Sequence, residues 1–236
     1  MSNDTISEAI LLYREAGRLF RENKKIAKEA AKNFQERAIE GQKDSEQTRS
    51  WMETATGNAS EMQRLLERII VLGEEHEELR KHRVYALAHR NLGLYFSRRF
   101  KPFHEPFPTY LDDVAAHLNT ALSLGVKRDR QVSRTLGAAY YQSGKFLEAV
   151  EPLRESIEAD PLDGTARYQL CLTYLSLHER EKALEQYEAL KQNPESPDYQ
   201  LVKMLEPMME RGRKPVDEAE QDELRRELEN YRRIQE

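Results

Sequence analysis

The chain is poor in the residues that staple or interrupt a fold. It has one cysteine, Cys171, in 236 residues, so no disulfide can form within it. Its 10 glycines and 9 prolines gather at a few points, which leaves long stretches free to be helical. Neither sign of charge dominates. The 37 Lys and Arg face 42 Asp and Glu, for a net charge of −5, so there is no basic footprint for nucleic acid. No apolar run approaches the length that spans a bilayer, and no membrane insertion is expected. The start, MSNDTISEAI, lacks a basic region followed by an apolar core, so the expected location is cytoplasmic.

Reaction chemistry is also missing. There is no glycine-rich phosphate loop, no cysteine pair for zinc and no Gly-x-Ser-x-Gly elbow. Of six histidines, His82 and His89 stand seven apart, too far for an i, i+4 metal pair. Carboxylates are spread along polar faces, with no apolar surround to raise a pKa. No catalytic residue, metal or cofactor is expected, and the chain does not read as an enzyme.

What the chain does have is a repeat. Between Arg130 and Pro197 it copies itself at 34 residues: Leu136 recurs as Leu170, Tyr140 as Tyr174, Ala149 as Ala183 and Leu153 as Tyr187. Each copy holds two helical runs. Gly137 and Cys171 are small, which lets the second helix come close. Gly144 stands at the turn, where a left-handed backbone suits glycine, and His178 takes that place in the second copy. Asp160-Pro161 closes the first copy.

The period and these positions resemble the tetratricopeptide repeat, a helix–turn–helix unit. The expected fold is all-α: a long N-terminal helix or coiled coil, then a right-handed α-solenoid of such hairpins, then a C-terminal capping helix. The expected domains are 1–81 for oligomerisation, 82–197 for repeats (82–129, 130–163 and 164–197) and 198–236 for the cap. The 82–129 copy is degenerate. Leu92-Gly93 matches Leu136-Gly137, Phe96 stands for Tyr140, and Val114, Leu118 and Ala121 have the internal spacing of the partner helix. Between its helices an insertion, residues 100–110, crowds Phe100, Phe103, Phe107 and Tyr110 among three prolines. It reads either as a contact loop or as aromatics tucked onto the repeat's own core.

Residues 6 to 69 carry a 3–4 apolar alternation. It includes Ile6, Ile10, Tyr13, Phe20, Phe34, Met52, Met62, Leu66 and Ile69. Two architectures satisfy it. In one, a continuous helix of about 95 Å pairs with a second chain, most simply as a homodimer. In the other, the chain folds back near Gly41. The unbroken phase favours the first. A further possible stop lies at Gly57, before Asn58. At the other end, Leu201, Met204, Leu205 and Met208 share a face, and Pro207 is expected to kink or end their helix.

The resemblance implies an inner wall built from the first helix of each repeat. It would comprise Leu87, Arg90, Leu94 and Arg98, then Gln131, Arg134, Ala138 and Tyr141, then Thr165, Tyr168, Leu172 and Leu175. Such a wall suits a protein or peptide partner with an apolar face and an acidic flank. Some repeats of this kind clip chaperone tails through Lys and Asn. The matching positions here hold Arg90, Leu94, Thr135, Thr165 and Gln169, which lack the asparagines. The resulting expectation is a protein-binding adaptor that oligomerises. A structural assembly protein, as filament or polar scaffold, and a chaperone for secreted proteins are the alternatives.

Overall fold

A computed structural model describes residues 2–40, 46–98, 108–192 and 199–211. The described residues form helices α1 (Ser2–Glu40), α2 (Glu46–Glu75), α3 (Glu77–Lys81), α4 (Arg83–Arg98) and α5 (Pro108–Ser123). After these come α6 (Arg130–Gln142), α7 (Phe146–Ala159), α8 (Gly164–Ser176), α9 (Arg180–Lys191) and α10 (Gln200–Arg211). No strand occurs among the described residues.

The N-terminal region corrects the expectation of one continuous helix. Helices α1 and α2 fold back on each other, antiparallel, with Glu8 beside Arg68 and Asn23 beside Ala55 and Asn58. The seam on α1 also lies one residue from the expected one. Ala9, Ala16 and Leu19 are buried, and Leu12, Asn23, Ile26 and Ala30 are partly buried at the same 3–4 alternation. Phe20 lies on the exposed side. A 3–4 pattern has a neighbouring solution whenever small residues sit one place away, and Ala9 and Ala16 supply it. On α2 the seam runs through Trp51 rather than Met52, which is exposed. The Asn23 amide donates to the Ala55 carbonyl at 2.9 Å, and Asn58 donates to Asn23 Oδ1 at 3.1 Å. A polar pair in an apolar seam fixes which residues face each other. Gly57 does not end a helix, since α2 runs through it.

The hairpin then packs on α4. Ala9, Ala16, Leu66, Ile69, Leu72, Leu79, Val84, Ala88 and Leu92 form one buried cluster, with Ile6, Tyr13 and Met62 against it. Gly73 is needed there, because a Cβ would lie 2.2 Å from the Tyr85 ring. The expected oligomer seam is therefore consumed within one chain at Ile6, Tyr13, Met62, Leu66 and Ile69. Ile10 is partly buried. The side chain of Phe34 lies outside the described residues.

From α4 onward the structure is a stack of helical hairpins, α4–α5, α6–α7 and α8–α9, with α10 behind. This is the tetratricopeptide-type arrangement. Three glycine-or-cysteine contacts set the spacing inside the hairpins. A Cβ on Gly93 would lie 2.7 Å from Leu118, and one on Gly137 2.5 Å from Leu153. Cys171 Sγ reaches the Ala183 carbonyl at 3.3 Å. Its burial raises the thiol to about 12, so it packs rather than reacts. The two intra-hairpin turns take a positive φ at Gly144 (74°) and at His178 (57°), as the alignment of the copies requires. Pro207 leaves α10 unbroken from Gln200 to Arg211.

Candidate functional site

Each hairpin is tied to the next by an arginine and an N-cap. Asp129 caps α6 by accepting the Val132 amide at 3.0 Å, and it also receives Arg90 of α4 at 2.6 Å. Asp163 caps α8 by accepting the Ala166 amide at 3.1 Å, and it also receives Arg134 of α6 at 3.3 Å. Ser156 donates to the second Asp163 oxygen at 3.0 Å. Burial pushes the Asp129 carboxyl up, but the Val132 amide and Arg90 outweigh it and hold it below its ordinary value. Arg90 and Arg134 therefore have carboxylate partners inside the chain. The acidic flank expected of a partner loses its counter-charge at these two positions.

The expected wall is not uniform in the structure. Leu94 is 7% exposed and belongs to a core with Val114, Leu118, Val132 and Leu136, so it is no wall residue. Leu87, Gln131 and Thr165 are partly buried. Tyr141, Tyr168, Leu172 and Leu175 pack against the C-terminal core. Tyr141 and Tyr168 lie within electrostatic reach of each other, and burial raises both phenols. The neighbouring Ser176 side chain pulls the Tyr141 phenol the other way, less strongly than burial raises it. The side chains of Arg98, Phe100, Phe103, Phe107 and Tyr110 lie outside the described residues. The backbone of Tyr110 belongs to α5, which begins at Pro108, so the segment between α4 and α5 is shorter than the expected insertion.

A cleft of about 200 Å³ opens where the three hairpins meet. Ser97, Leu111 and Val114 form its side on α4 and α5. Arg134, Thr135, Ala138, Ala139 and Gln142 come from α6, and Thr165 and Gln169 from α8. Sequence reasoning placed Arg134, Ala138 and Thr165 on such a surface. It missed the α5 side, because the wall pattern draws on first helices alone, and on α6 it missed Ala139 and Gln142, each one position beyond a chosen residue. Thr135 and Gln169 stand 34 residues apart, so the repeat itself carried that signal. The cleft is smaller than a cofactor site and of a size for one or two side chains.

Gln169 is one of the polar residues that line the cleft. Its Oε1 is buried and has no hydrogen-bond partner. A buried polar group without a mate costs about 1–3 kcal/mol. The rest of the lining is hydroxyl, amide and aliphatic, with Arg134 already paired. Among the described residues no group of three or more His, Cys, Asp or Glu is placed to hold a metal. No described helix is long and apolar enough to cross a membrane.

No family model matches the chain. No curated protein matches it in sequence. Among solved structures it is similar to a crystal structure of MamA, with a TM-score of 0.48 and 17% identity, over 78% of this chain and 95% of that one. It is also similar to the crystal structure of YrrB, described as a TPR protein with an unusual peptide-binding site. There the TM-score is 0.49 and the identity 16%, over 74% of this chain and 82% of that one. A further MamA structure, AMB-1, has a TM-score of 0.46 and 20% identity, over 65% of this chain and 75% of that one. The fold assignment rests on the repeat geometry itself.

Proposed function

We propose that the chain is a non-catalytic protein-binding adaptor. Its cleft between α4–α5, α6 and α8 holds an uncharged stretch of a partner polypeptide. A small or aliphatic side chain enters between Ala138, Ala139 and Val114, and a backbone N–H of the partner donates to Gln169. The observation that carries this reading is a cleft lined by Thr135, Thr165, Gln142 and Gln169, beside which the buried Gln169 side-chain oxygen has no partner within the chain. An orphan buried acceptor favours a ligand that brings a donor. A charged ligand is disfavoured, because Arg134 faces Asp163.

Selection of phage-displayed peptides on the full chain tests this. The enriched peptides are expected to be rich in small and aliphatic residues. Their binding is expected to fall by tenfold or more, about 1.4 kcal/mol, in Ala138→Trp, which fills the cleft. Unchanged helicity by circular dichroism confirms that the variant is folded. Peptides that bind Ala138→Trp as well as the parent would place the interaction elsewhere.

A further inference from the structure

Helices α1 and α7 carry rows of opposite charge with the same spacing. On α1, Arg18, Arg21, Lys25 and Lys28 follow at three, four and three residues, all exposed and away from the seam with α2. On α7, Glu148, Glu151, Glu155 and Glu158 follow at the same three, four and three. Glu155 is partly buried and the other three are exposed. Such steps return to one face of a helix, so each row is a line of about 15 Å. The spacing reads the same in both directions, and the rows match whether the two helices run parallel or antiparallel.

Each row is only partly satisfied within the chain. Arg18 is held by Glu15 and Glu22, but among the described residues Arg21, Lys25 and Lys28 have no ion-pair partner. On α7, Arg128 holds Glu155, and Arg154 lies 3.5 Å from Glu151. Glu148 and Glu158 have no such partner among the described residues, since the nearby Lys145 is spent on Asp112. Residues 18–32 set six cations against Glu22 and Glu29, a net +4 in a chain of net −5. The basic row also sits on a projecting part. The buried cluster that seats the hairpin on α4 takes no residue of α1 after Ala16 and none of α2 before Met62. Among the described residues α1 packs on α2, α3 and α4 and does not reach α7, so the two rows do not meet within one chain.

We propose that α1 of one copy lies along α7 of another and pairs the two rows. Two observations favour a second copy over other anions. It carries the complementary row at the same pitch. In addition, Glu15, Glu22 and Glu29 edge the basic row one position on, which leaves it narrow enough for a helix. A broad anionic surface such as a bilayer would face those carboxylates too, within the screening length. The two surfaces differ, so the contact is heterologous. Exposed ion pairs contribute little each, so the contact forms in concentrated protein at low salt and leaves a dilute chain single. It uses no residue of the cleft and stands apart from the peptide-binding reading.

Sedimentation equilibrium of the full chain tests this. In low salt the average mass is expected to rise with concentration. In about 1 M salt, where the screening length is about 3 Å, the mass of one chain is expected throughout. Lys25→Glu with Lys28→Glu is expected to weaken the association by about tenfold or more, and so is Glu148→Lys with Glu158→Lys, because attractions become repulsions. Mixing the two variants is expected to restore it, since the intact basic row of the second meets the intact acidic row of the first. A chain that stays single in concentrated low-salt solution overturns the proposal and leaves the basic row to an acidic helix of another protein. Association that survives either pair of substitutions, or 1 M salt, overturns it too. So does a mixture of the two variants that fails to associate.

Discussion

Arg134 and Asp163 join two hairpins through the cap of a helix. The guanidinium reaches Asp163 Oδ1 at 3.3 Å, and the same oxygen accepts the Ala166 amide that opens α8. The carboxylate side chain is 2% exposed, while the arginine is partly solvated. Arg90 and Asp129 repeat the device one hairpin earlier, with a more exposed carboxylate.

Asp163→Ala removes a cap and also leaves Ser156 and Arg134 without their acceptor. The expected loss is about 2–3 kcal/mol, more than a cap alone contributes. Asp129→Ala is expected to lose about 1 kcal/mol, because water replaces part of what it provides. Urea unfolding midpoints of the two variants check this. Equal losses would deny the Arg134–Asp163–Ser156 arrangement its role.

Gly137→Ala and Gly57→Ala are expected to move stability in opposite directions. At Gly137 the new methyl meets Leu153 Cγ at 2.5 Å and the Leu153 backbone nitrogen at 3.2 Å. Only part of that clash can be relieved by a rotamer change, so about 1–3 kcal/mol is lost. At Gly57, inside α2, nothing lies within 4 Å. Alanine there gains about 1 kcal/mol of helix propensity. Thermal unfolding of the pair decides.

His89 and His117 meet at 2.8 Å between their Nδ1 atoms, in the joint of α4 and α5. Burial, with a smaller contribution from His117, lowers His89 from 6.5 to about 4. Burial also lowers His117, against the pull of Asp113 and Glu67. A histidine with a depressed folded pKa favours the unfolded chain as protons become available. Stability is therefore full above pH 6.5 and falls as pH drops toward 4, by at most about 3 kcal/mol from His89. Removing one member of the pair in His89→Phe is expected to flatten that slope between pH 6.5 and 4.5 in unfolding measurements. A slope identical to the parent's would assign the pH dependence to other groups.

Because the 3–4 seam is closed within the chain by α1 on α2 and by both on α4, dilute protein is expected to sediment at the mass of one chain. Asn91→Ala removes the donor to Tyr13 Oη at 3.0 Å. It is expected to loosen the hairpin's dock by about 1 kcal/mol, seen as faster hydrogen exchange in α1. A constant dimer mass on dilution would reinstate pairing between chains.

Much of the stack was legible beforehand, and for a local reason. Gly137, Gly144, Cys171 and His178 each answer to a contact or a backbone angle within their own hairpin, so a fixed interval exposes them. The N-terminal seam was legible as a pattern and misjudged as a partner. Its phase lay one residue away, at Ala9, Ala16 and Leu19, where small side chains made two registers look alike. Nothing in the spacing of α1 names α2 rather than another copy of α1. The polar pair Asn23–Asn58 becomes a signal only when the two helices are side by side.

The cleft divides along the same line. Thr135 and Gln169 recur at the repeat interval, but the α5 side, Leu111 and Val114, comes from a different helix class and is set by how hairpins tilt. Likewise, an arginine on a wall position reads as free charge until Asp129 and Asp163 are found beside it. The amino-acid order alone determined an all-helical chain of hairpins with its turns and close contacts, since those depend on neighbours within one repeat. Tertiary packing decided what fills the N-terminal seam, which arginines are neutralised and where a polar oxygen is left unpaired. Those outcomes depend on distances between residues that the chain brings together only after its local structure has formed.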